Sequence, residues 1–441
     1  MSFIPVGQRA ALAEVPDVLR LIVRRWARST QLARVSRLGL LAIIGPGLVS
    51  GFADNDAGGI TTYSIAGAQF GYDLLWVLLA SQIALMVTQE AGARLGLATG
   101  HGLSGLIRER WGVRWAAFAV LTMLAANLGD TVAEFAGIGA ALSLFGIPVA
   151  LAAAIAAGSM LLLLARGNFR RIQWLFVASG IGISIAYGVS AILAHPDWGR
   201  AASSLVIPHG DLGNPAYLLA VVGIVGTTIT PWGQSFIQSY VVDKGLGPEA
   251  LTGSRIDVTT GALLTNIVAA FIVVACAATL WAHGQTNITD AADAARALGP
   301  LAGPMAEVLF AVGLLAASML GLGTVPLTSA YAACEAFGWE AGLDRRPNEA
   351  RAFYALLAFF VGSAALFVLI PGLPLVAVMF LSQVFDGLLL PIVLVFVMLL
   401  ARDRRLMGDL RSGRMLGAIG WAVTVAIAAL SIALVVSFLV S

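Results

Sequence analysis

The sequence predicts an all-α polytopic membrane protein of about eleven spans, two five-helix halves in opposite orientation followed by one further helix. Three observations predict it. The 441 residues are 59% hydrophobic and only 11% charged, with a mean hydropathy of +0.90; a bilayer accommodates that surplus of apolar surface and water does not. The basic residues alternate from loop to loop as the positive-inside rule requires. The first and sixth apolar segments are interrupted by Gly or Pro among polar residues, the mark of inverted repeats with a binding site between them.

In chain order, residues 1–38 are an Arg-rich polar leader, either an amphipathic helix on the membrane surface or a solvated tail. They lack the short basic start and apolar run of a secretory signal. Hydropathy then places spans at 39–66, 72–97, 115–141, 146–165, 172–194 and 214–242, and at 257–282, 304–336, 351–370, 374–400 and 415–440. These form a single transporter domain over 39–440, with repeat one at 39–194, repeat two at 214–400 and an extra helix at 415–440. All but three of the 26 Lys and Arg residues fall in the leader or in loops that share its side, the exceptions being Arg94, Arg200 and Arg296. The leader is therefore expected in the cytoplasm of a multi-pass plasma-membrane protein, and an odd span count puts the C-terminus outside.

The first span carries GPGLVSGFADNDAGGITTYSIAG, with Asp54 and Asp56 at its centre and Gly58-Gly59 directly after. A charge at the bilayer centre costs several kcal/mol, so intramembrane acids are functional candidates. On an unbroken helix, residues two apart point about 200° apart. Convergence of the two acids requires unwound backbone, which the glycines permit and which is tolerated at that depth only beside a cavity or inside protein. The stretch reads as a cation site at a helix break. Span six repeats the device in GIVGTTITPWGQSFIQ, where Pro231 and Gly233 interrupt an apolar helix; ordinary kinked helices are the alternative.

Further acids fall inside spans: Asp130 and Glu134 one turn apart on span three, and Asp386 in span ten, three residues after Gln383. No Lys or Arg lies mid-span to neutralise them, so they must be protonated or find a cation. For Asp130 and Glu134, a helix-packing hydrogen bond by a protonated acid is the plainer alternative. The available donors are hard oxygens: carboxylates, Thr227, Thr228, Thr230, Asn55, Gln383 and freed carbonyls. These suit magnesium, calcium or manganese. Met86 and Met123 sit at neither break and read as core. Cys276 and Cys334 lie in apolar stretches and the four histidines beside loops, which argues against thiolate or imidazole metal centres. No zincin, Walker or serine-nucleophile motif is present, so an enzyme is not expected. Nothing points to nucleic acid.

These residues resemble the Nramp divalent metal-ion transporters, whose fold is the LeuT-type 5+5 inverted repeat with broken helices 1 and 6. The resemblance runs through LLWVLLASQIALMVTQEAGARLGLATG, TVAEFAGIGAALSLFG, GIVGTTITPWGQ, DAADAARALGPLAGPMAEVLFAVGLLAAS and SQVFDGLLLP. It covers most of residues 39–400 in order. The family's Asp-Pro-Gly-Asn motif falls on Asp56-Ala57-Gly58-Gly59, so its Asp ligand is kept and its Asn ligand is lost. Its Met-Pro-His motif falls on Thr230-Pro231-Trp232, replacing a thioether with a hydroxyl and a titratable ring with an indole. The family's Asp-x-x-Glu falls on Thr131 to Glu134, with only the Glu kept. The resemblance implies a backbone carbonyl ligand from Thr227 or its neighbours.

The expectation is thus a secondary transporter of a divalent cation, Mg²⁺ with Mn²⁺ tolerated, like the Nramp-related magnesium transporter branch and without proton coupling. The metal set is Asp54, Asp56, Thr227, Thr230, Gln383 and Asp386; the helix breaks are Gly58, Gly59, Pro231 and Gly233. Asp130 and Glu134 would line an ion or proton pathway. The transported ion and the lipid bilayer are the partners implied, with no cofactor and no oligomeric state indicated. The rivals are a proton-coupled Mn²⁺/Fe²⁺ symporter, a Na⁺-coupled amino-acid transporter of the same fold, and a channel.

Overall fold

Backbone that crosses hydrocarbon has no water to bond, so each span must close its hydrogen bonds within itself. The computed structural model describes residues 51, 54–166, 169–343 and 345–440, and among them there are helices and turns but no strand. The leader, and with it the surface-helix reading, and all but Gly51 of the first half of span one lie outside the described residues.

The principal helices are α1 (Ala57–Phe70), α2 (Leu75–Thr99), α3 (Leu103–Trp111), α4 (Val113–Ser143), α5 (Val149–Ala165), α6 (Phe169–Leu193) and α7 (Trp198–Val206). They continue as α8 (Pro215–Thr228), α9 (Pro231–Asp243), α10 (Leu251–Thr279), α11 (Ala306–Phe337), α12 (Arg351–Phe367), α13 (Leu375–Ala401) and α14 (Arg414–Val440). Among the described residues, seven helical runs are long and apolar enough to cross a membrane, by length and composition, and three shorter apolar helices accompany them. With α1 these account for the expected spans. Besides shorter helical pieces such as Ala291–Ala295 and Arg404–Met407, two connectors that hydropathy treats as loops carry longer helices: α3, between spans two and three, and α7, between spans five and six. Both are short, nine residues each, and fall below the length hydropathy detects.

The packing repeats itself between the two halves. Helix α1 of span one lies on α10 of span seven, as α9 of span six lies on α2 of span two. Likewise α4 packs on α5 and on α13, as α11 packs on α12 and on α6. The pairs α4–α11 and α2–α10 exchange with themselves under this correspondence and are also in contact. That pattern is the 5+5 inverted repeat, and α14 stands outside it, against α13 and α8.

Both breaks fall earlier than expected. Residues 54–56 form the non-helical stretch of span one, while Gly58 and Gly59 already belong to the first turn of α1. In span six, Ile229 and Thr230 leave the helix, and Pro231 and Gly233 lie in the first turn of α9. Proline suits a first helical turn, where its missing N–H is no loss.

Candidate cation site at the two helix breaks

The two half-helices begin with the same device. Asp56 is the N-cap of α1, its Oδ1 accepting from the Gly59 N–H at 2.7 Å. Thr230 is the N-cap of α9, its Oγ1 accepting from the Gly233 N–H at 3.1 Å. Each cap satisfies one of the orphan donors of a helix start. On the other side of the span-six break, α8 ends at Thr228; the Val225 carbonyl still accepts from the Ile229 N–H at 2.9 Å, and the carbonyls after it form the negative end of the helix dipole. A cation between the breaks meets that end on one side and two carboxylates on the other.

The glycines of α1 set how close the neighbours come. A methyl group on Gly59 would stand 2.8 Å from the Asp54 carbonyl oxygen, 3.1 Å from Thr227 Oγ1 and 3.4 Å from Asp56 Oδ1. Gly59 therefore gathers the unwound strand, the Asp56 carboxylate and the Thr227 hydroxyl around one point. Gly58 lies against the side-chain amide of Gln383. On α8, Gly226 meets the Gln383 carbonyl and Gly387 backbone, which fixes α13 and its Asp386 beside the span-six break.

Asp54, Asp56, Asp130, Glu134 and Asp386 are all at most 2% exposed. Glu134 lies beside Asp56 and against Gly321 of α11. Asp130 faces α13: Gln383 Nε2 donates to its Oδ1 at 3.0 Å, and Asp386 stands opposite. Thr230 is close to Asp54. Both carboxylate oxygens of Asp54, Glu134 and Asp386 lack protein hydrogen-bond partners, as do Thr227 Oγ1, Gln383 Oε1 and Asn55 Oδ1. Buried oxygen without a partner costs about 1–3 kcal/mol per group, and a cation or its water would satisfy this cluster of orphaned acceptors. No ion pair involves these acids among the described residues.

Asp54 and Asp56 thus lie at the first break, with Glu134, Asp130 and Asp386 near Asp56. Among the described residues, however, no three His, Cys, Asp or Glu side chains converge as a ready-made metal cage. An ion held here would draw on one or two carboxylates together with hydroxyl, amide and carbonyl oxygen, a donor set for a hard cation that keeps water. Three neighbours carry no clear signal of their role in the sequence. Tyr63 of α1 is fully buried with its hydroxyl 3.0 Å from Thr228 Oγ1. Gln234 of α9 is fully buried with neither amide atom partnered; its place in TPWGQ is the available hint. Met379 of α13, one helical turn from Gln383, accepts from Thr61 Oγ1 at 3.4 Å.

Comparison with known proteins bears on this arrangement. A model of the family described as Nramp, natural resistance-associated macrophage protein-like, matches residues 47–437. The chain is 33% identical over 404 residues to the divalent metal cation transporter MntH of Ralstonia nicotianae, covering 87% of this chain and 88% of that one. It is 31% identical to MntH of Deinococcus radiodurans, covering 89% of each. The crystal structure of the Eremococcus coleocola manganese transporter with an aromatic bis-isothiourea compound superposes with a TM-score of 0.72 at 25% identity, over 89% of this chain and 85% of that one. At the level of fold alone, the crystal structure of MhsT in complex with L-phenylalanine matches with a TM-score of 0.58 at 18% identity, over 91% of this chain and 98% of that one.

Proposed function

The chain belongs to the Nramp family, and from that premise we propose that it carries a divalent metal cation across the plasma membrane by alternating access, magnesium preferred and manganese tolerated. The observation that carries the reading is the donor set between the breaks. Asp56 and Asp54 supply charge, Thr227, Thr230 and the end of α8 supply neutral oxygen, and Gln383 and Asp386 close from α13. Hard oxygen donors with room for water favour Mg²⁺, which dehydrates reluctantly and is commonly bound by one or two carboxylates. The thioether that favours softer metals is replaced at Thr230, and Met379 bonds Thr61 outside the break.

Transport is driven by the ion gradient and the membrane potential in this reading. At 2.3 kcal/mol per charge per 100 mV, an inside-negative potential favours entry of a dication by about 4.6 kcal/mol. The leader is cytoplasmic and the end of α14 outside, on the distribution of basic residues. The chain forms one transporter domain, residues 39–440, behind that leader. The test is flux into liposomes holding the purified protein: Mg²⁺ uptake that saturates and is competed by Mn²⁺ is expected. Mn²⁺ movement with neither Mg²⁺ flux nor Mg²⁺ competition overturns the proposed preference.

One observation favours a proton-coupled reading. Asp130 and Asp386 face each other inside the membrane without a basic partner, beside Glu134 and Asp56. Metal-dependent acidification of the liposome lumen, lost in Glu134→Gln, would establish coupling and displace the uncoupled reading. The absence of a titratable group at Trp232 supports the uncoupled one.

A further inference from the structure

We infer that Tyr63 is a positioning residue that ties the second half of span one to the end of the first half of span six, and so fixes the span-six oxygens against Asp56. This rests on the cation-transport reading above. The hydrogen-bond directions are determined by counting protons. Thr228 Oγ1 has one hydrogen, and it goes to the Ile224 carbonyl at 2.7 Å, one turn back along α8. The 3.0 Å contact between Tyr63 Oη and Thr228 Oγ1 is therefore donated by the tyrosine. A fully buried tyrosine hydroxyl needs such a partner.

Thr228 is the last residue of α8, and Ile229 and Thr230 already form the break. The tie therefore holds α8 at the turn whose carbonyls open toward the site, next to Thr227 Oγ1, which lies against Gly59. Tyr63 sits seven residues after the Asp56 cap, two turns along α1. One rigid ring thus sets the spacing between a carboxylate on one broken helix and a hydroxyl and carbonyls on the other. Cation affinity depends steeply on that spacing, because the ligand distances of a hard dication vary by only tenths of an ångström.

The test is a double-mutant cycle of Tyr63→Phe and Thr228→Val, with Thr228→Ser as the conservative control. Tyr63→Phe keeps ring and packing and removes only the hydroxyl. In proteoliposomes each disruptive variant is expected to raise the KM for Mg²⁺ about tenfold with Vmax within about twofold. The double variant should be no worse than either single one, and Thr228→Ser should stay within about twofold of wild type. An unchanged KM in Tyr63→Phe, or effects that multiply in the double variant, overturns the inference. Thermal unfolding of the same four proteins without metal reads the tie separately: coupled shifts support it and additive shifts refute it. A wild-type protein that moves no dication therefore counts against the transport reading, while the unfolding cycle still decides the role of Tyr63.

Discussion

The two helix breaks share a backbone plan and differ in charge. In each, a side chain caps a half-helix by accepting from the N–H three residues on, and that residue is glycine: Asp56 with Gly59, Thr230 with Gly233. Yet the first break carries two carboxylates within three residues, and the second carries hydroxyls, a proline and the end of α8. An inverted repeat thus sets a symmetric frame around an asymmetric set of oxygen groups. One half brings formal charge and the other brings dipoles, which together suit a dication better than two charged breaks would, since four carboxylates with no cation bound would repel one another at low dielectric.

The largest effect should come from removing charge while keeping the cap. Asparagine caps a helix about as well as aspartate, so Asp56→Asn should fold and still lose apparent affinity for the dication on the order of 100-fold, about 2–4 kcal/mol. Uptake kinetics measure it. A variant that keeps wild-type KM would remove the charge asymmetry from the mechanism and leave the two breaks functionally equivalent.

Next in size is the contrast between adjacent glycines. A methyl group at Gly59 meets the backbone oxygen of Asp54, which cannot move without shifting the unwound strand, whereas one at Gly58 meets the Gln383 side chain, which can withdraw by giving up its bond to Asp130. Gly59→Ala should therefore cost about 1–3 kcal/mol of stability and impair transport, and Gly58→Ala clearly less. Thermal unfolding in detergent compares them, and the reverse order would mean that Gln383 is the more rigid neighbour. Smaller again is the neutral cap: Thr230→Ala should destabilise by about 1 kcal/mol and Thr230→Ser by a few tenths.

The breaks and their acids are legible in the sequence because a carboxylate inside an apolar run is too costly to stand there without a use, and paired glycines beside it mark backbone that departs from plain helix. Which residue meets which across helices is not legible. Tyr63 looks like one more apolar-span aromatic, and only the fold puts its hydroxyl on Thr228. From the sequence, Gly58 and Gly59 read as the hinge itself, since glycine marks both freedom and close approach; the structure assigns them to close approach, inside α1 and against Gln383 and Thr227. The pairing of Asp130 with α13 and of Glu134 with α11 also lies beyond sequence spacing, because one helix face can serve two neighbours.

Another aspartate cap sharpens the comparison from outside the membrane. Asp403 begins a short helix in the loop before α14, accepting from the Arg405 N–H at 2.8 Å and from Arg110 Nε at 2.7 Å. Partial burial works to raise its pKa, but the Arg405 and Arg110 hydrogen bonds and the Arg110 charge outweigh it and hold the carboxyl below its ordinary value. A lowered acid pKa stabilises the folded loop fully above the ordinary value of about 3.9, and the contribution is lost as pH falls through the folded-state value. Amide hydrogen exchange across residues 403–413 should therefore be faster in Asp403→Asn than in wild type at pH 7, by roughly 0.5 kcal/mol of local stability for a pair this exposed. The difference should vanish at the acid end. If it persists there, capping geometry rather than charge holds the loop. Asp56 also caps a helix, from the N–H three residues on rather than two, and has no ion pair among the described residues; in the proposed reading its charge is left for the transported ion.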